Sequence, residues 1–186
     1  MKTLHLLLAF ATLTVAAVWL RADPAADKPA GLVDVTYVNP EKFTDVKDSD
    51  VPDDRVRDEY LKELKTHIET HAKEYIPAGW HLNLKITDVD MAGDFEPWRG
   101  PQFLDMRIVK DVYPPRIKLE FALTDPAGKT VKEGQRNVTN LSFLNEINIY
   151  FPDDQLRYEK ALLDYWFRQE FGSAKKVAAS ETAPAQ

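Results

Sequence analysis

The stretch RIKLEFALTDPAGKTVKEGQRNV, residues 116–138, decides the fold. Its first half alternates apolar and polar side chains perfectly, which is typical of a strand with one buried face. The apolar positions are Ile117, Leu119, Phe121 and Leu123. Residues 125–128, DPAG, carry a turn signal, so residues 129–138 are predicted to return as the hairpin partner. A hairpin with one apolar face needs a second layer to cover that face.

Further strands and two helices are predicted on either side of this hairpin. Alternating apolar residues indicate strands at 33–38, 81–89 and 103–112. Apolar residues three or four positions apart indicate amphipathic helices at 55–75 and 155–171. The sequence therefore predicts an α+β fold, a two-layer sandwich. Its sheet is mainly antiparallel, has about four to five strands, and packs both amphipathic helices on one face.

The N-terminal segment has the pattern of a secretory signal peptide. Lys2 precedes a stretch from Leu4 to Leu20 that is apolar apart from one histidine and two threonines. Cleavage is predicted after Ala22, with Ala17 as the other candidate position. An uncleaved membrane anchor is the alternative, although about 17 apolar residues is the lower limit for a membrane span.

These patterns divide the chain into four parts. We expect a signal peptide at 1–22, a linker at 23–31, a single α+β domain at 32–171 and a disordered tail at 172–186. The chain contains no cysteine. An exported protein without cysteine fits the periplasm of a Gram-negative bacterium better than a eukaryotic extracellular space, where small domains often use disulfides. We therefore expect a periplasmic protein with no transmembrane segment after signal cleavage.

Composition excludes several classes of function. The 186 residues include 24 Lys and Arg against 30 Asp and Glu, which gives a net charge of -6. Nucleic-acid binding is not expected, because neutralising phosphates requires a basic face. The absence of cysteine excludes thiolate metal sites and cysteine nucleophiles. The glycines stand singly, so no phosphate-binding glycine loop is predicted, and no serine lies in a G-x-S-x-G motif.

Four separated segments, in the same order, resemble a known family of exported bacterial proteins. They are TYVNPEKFTD at 36–45, TDVDMAGDFEPW at 87–98, YPPRIKL at 113–119 and LRYEKALLDYWF at 156–167. The chain resembles the family catalogued as domain of unknown function 3016 over about residues 33–171. The resemblance implies a small, signal-bearing, single-domain protein of a Gram-negative bacterium. It implies no activity and no catalytic residue.

A polar segment after the second predicted strand is the candidate site for a ligand or partner. Four carboxylates, a tryptophan and an arginine lie close together there, at Asp88, Asp90, Asp94, Glu96, Trp98 and Arg99. Clustered carboxylates can bind Ca²⁺, but the EF-hand spacing fails, because Ala92 occupies a ligand position and Arg99 stands where a bidentate glutamate belongs. A solvated strand edge followed by a turn is the alternative. Trp98 either contacts a partner or covers the core.

Two histidines on the first predicted helix are the second candidate. His67 and His71 are four residues apart, a spacing that can share a metal ion, but Ile68 stands where the zinc-protease motif requires glutamate. The helix pattern places His71 beside the apolar stripe and His67 nearer the polar face. Asp164 is expected to pair with Arg168 on the last helix. With no third ligand evident, the sequence predicts no metal site, no cofactor and no catalytic residue.

Taken together, these patterns favour a non-enzymatic binding or accessory module of the cell envelope. Its partner would be an unidentified protein or envelope component. A carboxylate-dependent or metal-assisted periplasmic hydrolase is one alternative, because acid pairs can be far apart in sequence. A structural oligomer of the envelope is the other.

Overall fold

The structure is a computed structural model, and it describes residues 33–181, with side chains as far as Gly172. The predicted signal peptide and linker lie outside the described residues, as do the last five residues of the predicted tail. Within the described part of the chain, no helix is both long and apolar enough to cross a membrane.

The described residues form six strands and two α-helices. In chain order they are β1 (Val33–Tyr37), α1 (Asp54–His71), β2 (His81–Asp90), β3 (Asp94–Phe95), β4 (Arg107–Ile108), β5 (Arg116–Thr124), β6 (Thr130–Thr139) and α2 (Arg157–Glu181). Four short 3₁₀ turns connect them, at Pro40–Lys42, Ala72–Glu74, Pro97–Arg99 and Pro101–Phe103. The predicted α+β class is confirmed.

Four strands make the main sheet, in the order β1-β2-β5-β6. The hairpin of β5 and β6 and the pairing of β2 with β5 are antiparallel, as predicted. β1 runs parallel to β2, because α1 carries the chain back between them. Register places Phe121 of β5 between Leu84 of β2 and Gly134 of β6. The sheet is therefore mixed, with one parallel pair at its β1 edge.

The core lies between one face of this sheet and the two helices. Alternate residues of β2 and β5 are buried, and so are Leu64 and Ile68 of α1 and Phe167 of α2. An aromatic cluster forms where the sheet meets α2: the ring of Phe121 lies 5.7 Å from that of Trp166. The opposite face of the sheet is polar. Both helices therefore cover the same apolar face, as the sequence predicts.

Three predicted boundaries are corrected. Residues 103–112 do not form a strand of the main sheet: only β4 is extended, and it pairs with β3 in a separate two-stranded sheet. The Arg107 side chain forms an ion pair with Asp45, at 2.8 Å, and this contact holds β4 against the loop that contains Asp45. α1 ends at His71, where a 3₁₀ turn takes over. α2 runs to Glu181, beyond the predicted end at residue 171, and so overlaps the first part of the predicted tail.

Candidate binding surface and histidine cluster

The first acids of the predicted candidate segment bond to neighbouring parts of the fold. Asp88 accepts hydrogen bonds from the amide of Thr44, at 2.8 Å, and from Lys118 Nζ, at 2.8 Å. Asp90 is half-buried, with Arg116 at 3.8 Å, and burial raises the pKa of its carboxyl. Asp88 therefore links the loop at Thr44 to strand β5 through hydrogen bonds. Asp90 forms an ion pair with Arg116 of β5.

The rest of the segment divides between a buried acid and an exposed ring. Glu96 is buried and accepts hydrogen bonds from Lys110, at 2.5 Å, and Tyr113, at 3.1 Å, while Arg99 pairs with it from the surface. The hydrogen bond from Lys110 is the main cause that lowers the pKa of Glu96. Asp94 accepts from the amide of Phe95. The side chain of Trp98 is 72% exposed. Asp90 and Asp94 line a common pocket, whereas Glu96 is buried among its own partners and Trp98 is exposed.

A different segment, between β6 and α2, presents the apolar surface of the molecule. We call residues 141–151 the apolar segment. Its exposed large hydrophobic side chains are Leu141, Leu144, Ile147, Ile149 and Phe151. Ile147 is 95% exposed, Phe151 81% and Ile149 79%. Its apolar residues fit no single period, so the sequence pattern predicts neither a helix nor a strand there.

Two polar side chains on the inner side keep this segment in place. Asn148 Nδ2 donates to the carbonyl of Arg157, at 3.0 Å, and its Oδ1 accepts from the amide of Tyr150, at 3.0 Å. The Tyr150 hydroxyl donates to Asp164 of α2. The Asn148 side chain closes a bend with the Tyr150 amide, and both residues are partly buried. The residues on either side of them, Ile147, Ile149 and Phe151, are exposed.

Behind Tyr150 lies a cluster of two histidines and an aspartate. His67 Nε2 is 2.9 Å from Asp164 Oδ1, and His71 Nδ1 is 3.6 Å from the same oxygen. The two imidazole rings are stacked, with centroids 4.2 Å apart. One ligand atom from each of the three residues lies within 4.8 Å of the others. α1 supplies both histidines from one face, and α2 supplies the carboxylate across the helix interface.

Charge in this cluster is concentrated on Asp164. Burial raises the pKa of its carboxyl, but hydrogen bonds from His67 and Tyr150 outweigh burial, so that the pKa lies below its usual value. Burial is also the main cause that raises the pKa of Tyr150, so its hydroxyl keeps its proton and remains a hydrogen-bond donor. Lys160, which approaches within a cation–π distance of Tyr150, is bonded to Glu63 and Asp154 at 2.5 and 2.6 Å. Asp164 is thus an ionised acceptor.

The histidine cluster opens on a groove at the surface. The groove has a volume of about 440 Å³ and runs along α1 towards Tyr150 and Lys160. His67 is buried beneath it, whereas the side chain of His71 is 31% exposed. A small ion or water can therefore reach His71 from solvent.

Sequence reasoning found the histidine pair and missed its partner. The predicted faces were reversed, because His67 is the buried histidine. The predicted ion pair of Asp164 with Arg168 was also wrong. Asp164 turns towards α1, while the Arg168 guanidinium lies 5.8 Å from the Tyr165 ring. Asp164 stands 97 residues from His67, and no local spacing signals a contact across that distance.

Comparison with known proteins identifies a family for most of the chain. Residues 31–169 match the family described as "Protein of unknown function (DUF3016)". No curated protein and no solved structure matches.

Proposed function

Because the chain belongs to the DUF3016 family, whose description carries no activity, we propose a function from its surface: a non-enzymatic binding module that captures an apolar, extended segment of a partner protein. The apolar segment at 141–151 is the binding surface. The pattern of residues 1–22 supports export, so the proposed setting is the bacterial periplasm.

One observation carries the proposal. Three large apolar side chains at alternate positions of one short segment, those of Ile147, Ile149 and Phe151, are 79–95% exposed. Burying such a side chain stabilises a contact by about 1.5–3 kcal/mol. Contiguous exposed apolar groups with a polar rim are typical of interaction surfaces.

The conformation of the segment suggests the form of the partner. Exposure alternates along residues 147–151, with Ile147, Ile149 and Phe151 exposed and the two residues between them partly buried. A partner strand with the same two-residue period can place its own apolar side chains between them. Asn148 and Tyr150 are anchored on the inner side, so the segment is ordered before it binds, which lowers the entropy cost of binding.

Charge around the segment suggests the flanks of the partner. Residues 140–156 contain no Lys or Arg, and they include Glu146 and Asp153, both exposed. An anionic membrane is disfavoured for the same reason, because it attracts basic segments. The proposed ligand is therefore an apolar peptide segment with lysine or arginine beside it.

Selection from a displayed library of random peptides on the purified chain tests this function. We expect enriched peptides to alternate apolar residues and to carry basic flanks. Their affinity, measured by fluorescence anisotropy, is expected to fall at least tenfold in Ile149→Asp, which places a charge in the apolar contact. Val51→Asp is the matched control, since Val51 is 74% exposed at a distant position.

Two outcomes contradict the proposal. One is a selection that enriches no apolar-basic sequence. The other is an equal loss of affinity in Ile149→Asp and Val51→Asp. Trp98→Ala, measured in parallel, tests the separate prediction that the segment from Asp88 to Arg99 contacts a partner.

A further inference from the structure

The geometry points to a site for one divalent transition-metal ion, Zn²⁺ above all, bound by His67 Nε2, His71 Nδ1 and Asp164 Oδ1. None of these three residues belongs to the apolar segment, although Tyr150 of that segment bonds to Asp164. The inference does not require the proposed function. Two imidazoles and a carboxylate are a ligand set that zinc uses in proteins, with water as the fourth ligand.

Distances between the donor atoms fit a tetrahedral ion. Ligand atoms about 2.0–2.1 Å from a tetrahedral zinc are roughly 3.3 Å apart. The distances from Asp164 Oδ1 to the two histidine nitrogens, 2.9 and 3.6 Å, lie on either side of that value. All three donor atoms fall within 4.8 Å. The two distances to Asp164 would therefore change by a few tenths of an ångström on zinc binding, and the two histidine nitrogens would approach each other by up to about 1.5 Å, which rotation of the exposed His71 ring can provide.

The surroundings prepare the carboxylate for a cation. The Tyr150 hydroxyl donates a hydrogen bond to Asp164 Oδ2, which fixes the orientation of the carboxylate and leaves Oδ1 directed at the histidines. Hydrogen bonds of this kind to metal ligands commonly raise metal affinity. The nearby cation Lys160 is neutralised by Glu63 and Asp154, so its charge does not compete for Asp164.

The donor set also selects the class of metal. Imidazole nitrogen favours zinc and its neighbours in the first transition row, whereas Ca²⁺ and Mg²⁺ require six or more ligands that are mostly oxygen. A fourth ligand can enter from the groove, because His71 is accessible there. We therefore expect Zn²⁺ to bind and Ca²⁺ and Mg²⁺ to bind not at all.

Isothermal titration calorimetry of the metal-free full-length chain with ZnCl₂ is the test. We expect one zinc per chain. His71→Gln and Asp164→Asn each remove one ligand and are expected to weaken binding at least 100-fold. His81→Gln is the matched control, because His81 Nε2 also lies 2.9 Å from an aspartate, Asp34, but without a second histidine. That variant should bind zinc as the unchanged chain does.

Independent readouts separate a metal site from a merely structural contact. Co²⁺ is expected to give the strong visible absorption of a tetrahedral ion in the unchanged chain and to lose it in His71→Gln. Tyr150→Phe, which keeps both histidines, is expected to weaken zinc binding about 10–100-fold. Ile149→Asp should leave zinc affinity unchanged, so failure here and failure of the proposed function are distinguishable. The site is refuted if the metal-free chain takes up no zinc, or if His71→Gln and His81→Gln bind it equally.

Discussion

At the scale of single residues, Glu159 is the most constrained acid that the structure describes. It lies in the first turn of α2 with no solvent exposure. One carboxyl oxygen accepts from the amide of Ala92, at 2.7 Å, and among the described residues no donor reaches the other oxygen. Burial raises the pKa of Glu159 from 4.5 to about 7. The carboxyl is therefore protonated in the folded state at a pH where the unfolded chain has released the proton.

The first prediction concerns the pH dependence that this residue imposes. Because the folded state binds the proton more tightly, the free energy of unfolding should fall as pH rises from about 4.5 to about 7. The loss is on the order of 3 kcal/mol at most. Glu159→Gln, which still accepts from Ala92, should remove this contribution.

Urea unfolding of both proteins at pH 4.5, 5.5, 6.5 and 7.5 measures it, the pH values being chosen to bracket the transition. The stability of Glu159→Gln relative to the unchanged chain should rise across the series. A difference that stays constant with pH would mean that Glu159 is not protonated in the fold.

At the scale of elements, an ion-pair group joins β6 to α2. Arg136 forms a two-point contact with the Glu170 carboxylate, at 2.8 and 2.9 Å, and Lys132 Nζ lies 2.8 Å from it. β6 offers few apolar side chains to the core, and a glycine lies opposite Phe121. Its attachment to α2 therefore relies on these charges more than on buried area.

The second prediction is that Glu170→Gln destabilises the fold. Its pKa is lowered, since the Arg136 and Lys132 bonds outweigh burial. The stabilisation is present at pH values above the pKa that Glu170 has in the unfolded chain. It is lost as the pH falls through the lower pKa that Glu170 has in the folded state. We expect a cost of about 1–2 kcal/mol at pH 7, limited by the partial exposure of both cations.

Chemical unfolding at pH 7 checks this cost, with Glu133→Gln as the control. Glu133 is an exposed residue of β6, the strand that carries Arg136 and Lys132, and its replacement should change stability little. If both variants cost the same, the Glu170 contacts contribute nothing specific.

Elements with a complete local pattern could be predicted from sequence, and elements defined by distant contacts could not. β5 alternates without a break, and every inward residue is buried. Residues 103–112 show the same alternation at Leu104, Met106 and Ile108. There the position is fixed instead by Arg107, which donates to Asp45 and to the carbonyls of Gly93 and Lys47. A pattern of apolar residues contains no information on where an arginine finds its acceptors.

At the scale of the whole molecule, the strand order sets which part of the fold is most protected. β2 and β5 have a hydrogen-bonded neighbour on both sides, whereas β1 and β6 lie at the edges. The third prediction is that amide hydrogens of β2 and β5 exchange slowest, at the rate set by global unfolding. The amides of the apolar segment should exchange at least tenfold faster.

Hydrogen exchange followed by NMR or mass spectrometry measures these rates. The outward and inward residues of β5, such as Glu120 and Leu119, serve as an internal control, because their amides should be equally slow despite different side-chain exposure. Exchange of residues 147–151 as slow as that of β5 would show that the apolar segment belongs to the cooperative core.

The two candidate surfaces could not be predicted from the sequence, because each depends on contacts between distant parts of the chain. The histidine cluster needs α1 and α2 side by side, and the exposure of Ile147 depends on anchors at Asn148 and Tyr150. The Asp88–Arg99 cluster looked like one site because its residues are neighbours in the chain. In the fold, Asp88 and Glu96 bond to different elements. Proximity along the chain and proximity in space differ most where loops carry the polar groups.

The position of α2 after every strand of the sheet has a consequence for the order in which this domain is made. Its residues Phe167 and Phe171 close the layer over Phe121. When all strands of the sheet have left the ribosome, only α1 of the two helices that cover the sheet has been synthesised. Until α2 emerges, the nascent protein presents a sheet whose apolar face is covered by α1 alone, and such exposed apolar surface is what chaperones bind. Folding of this domain therefore cannot be completed before α2 is synthesised.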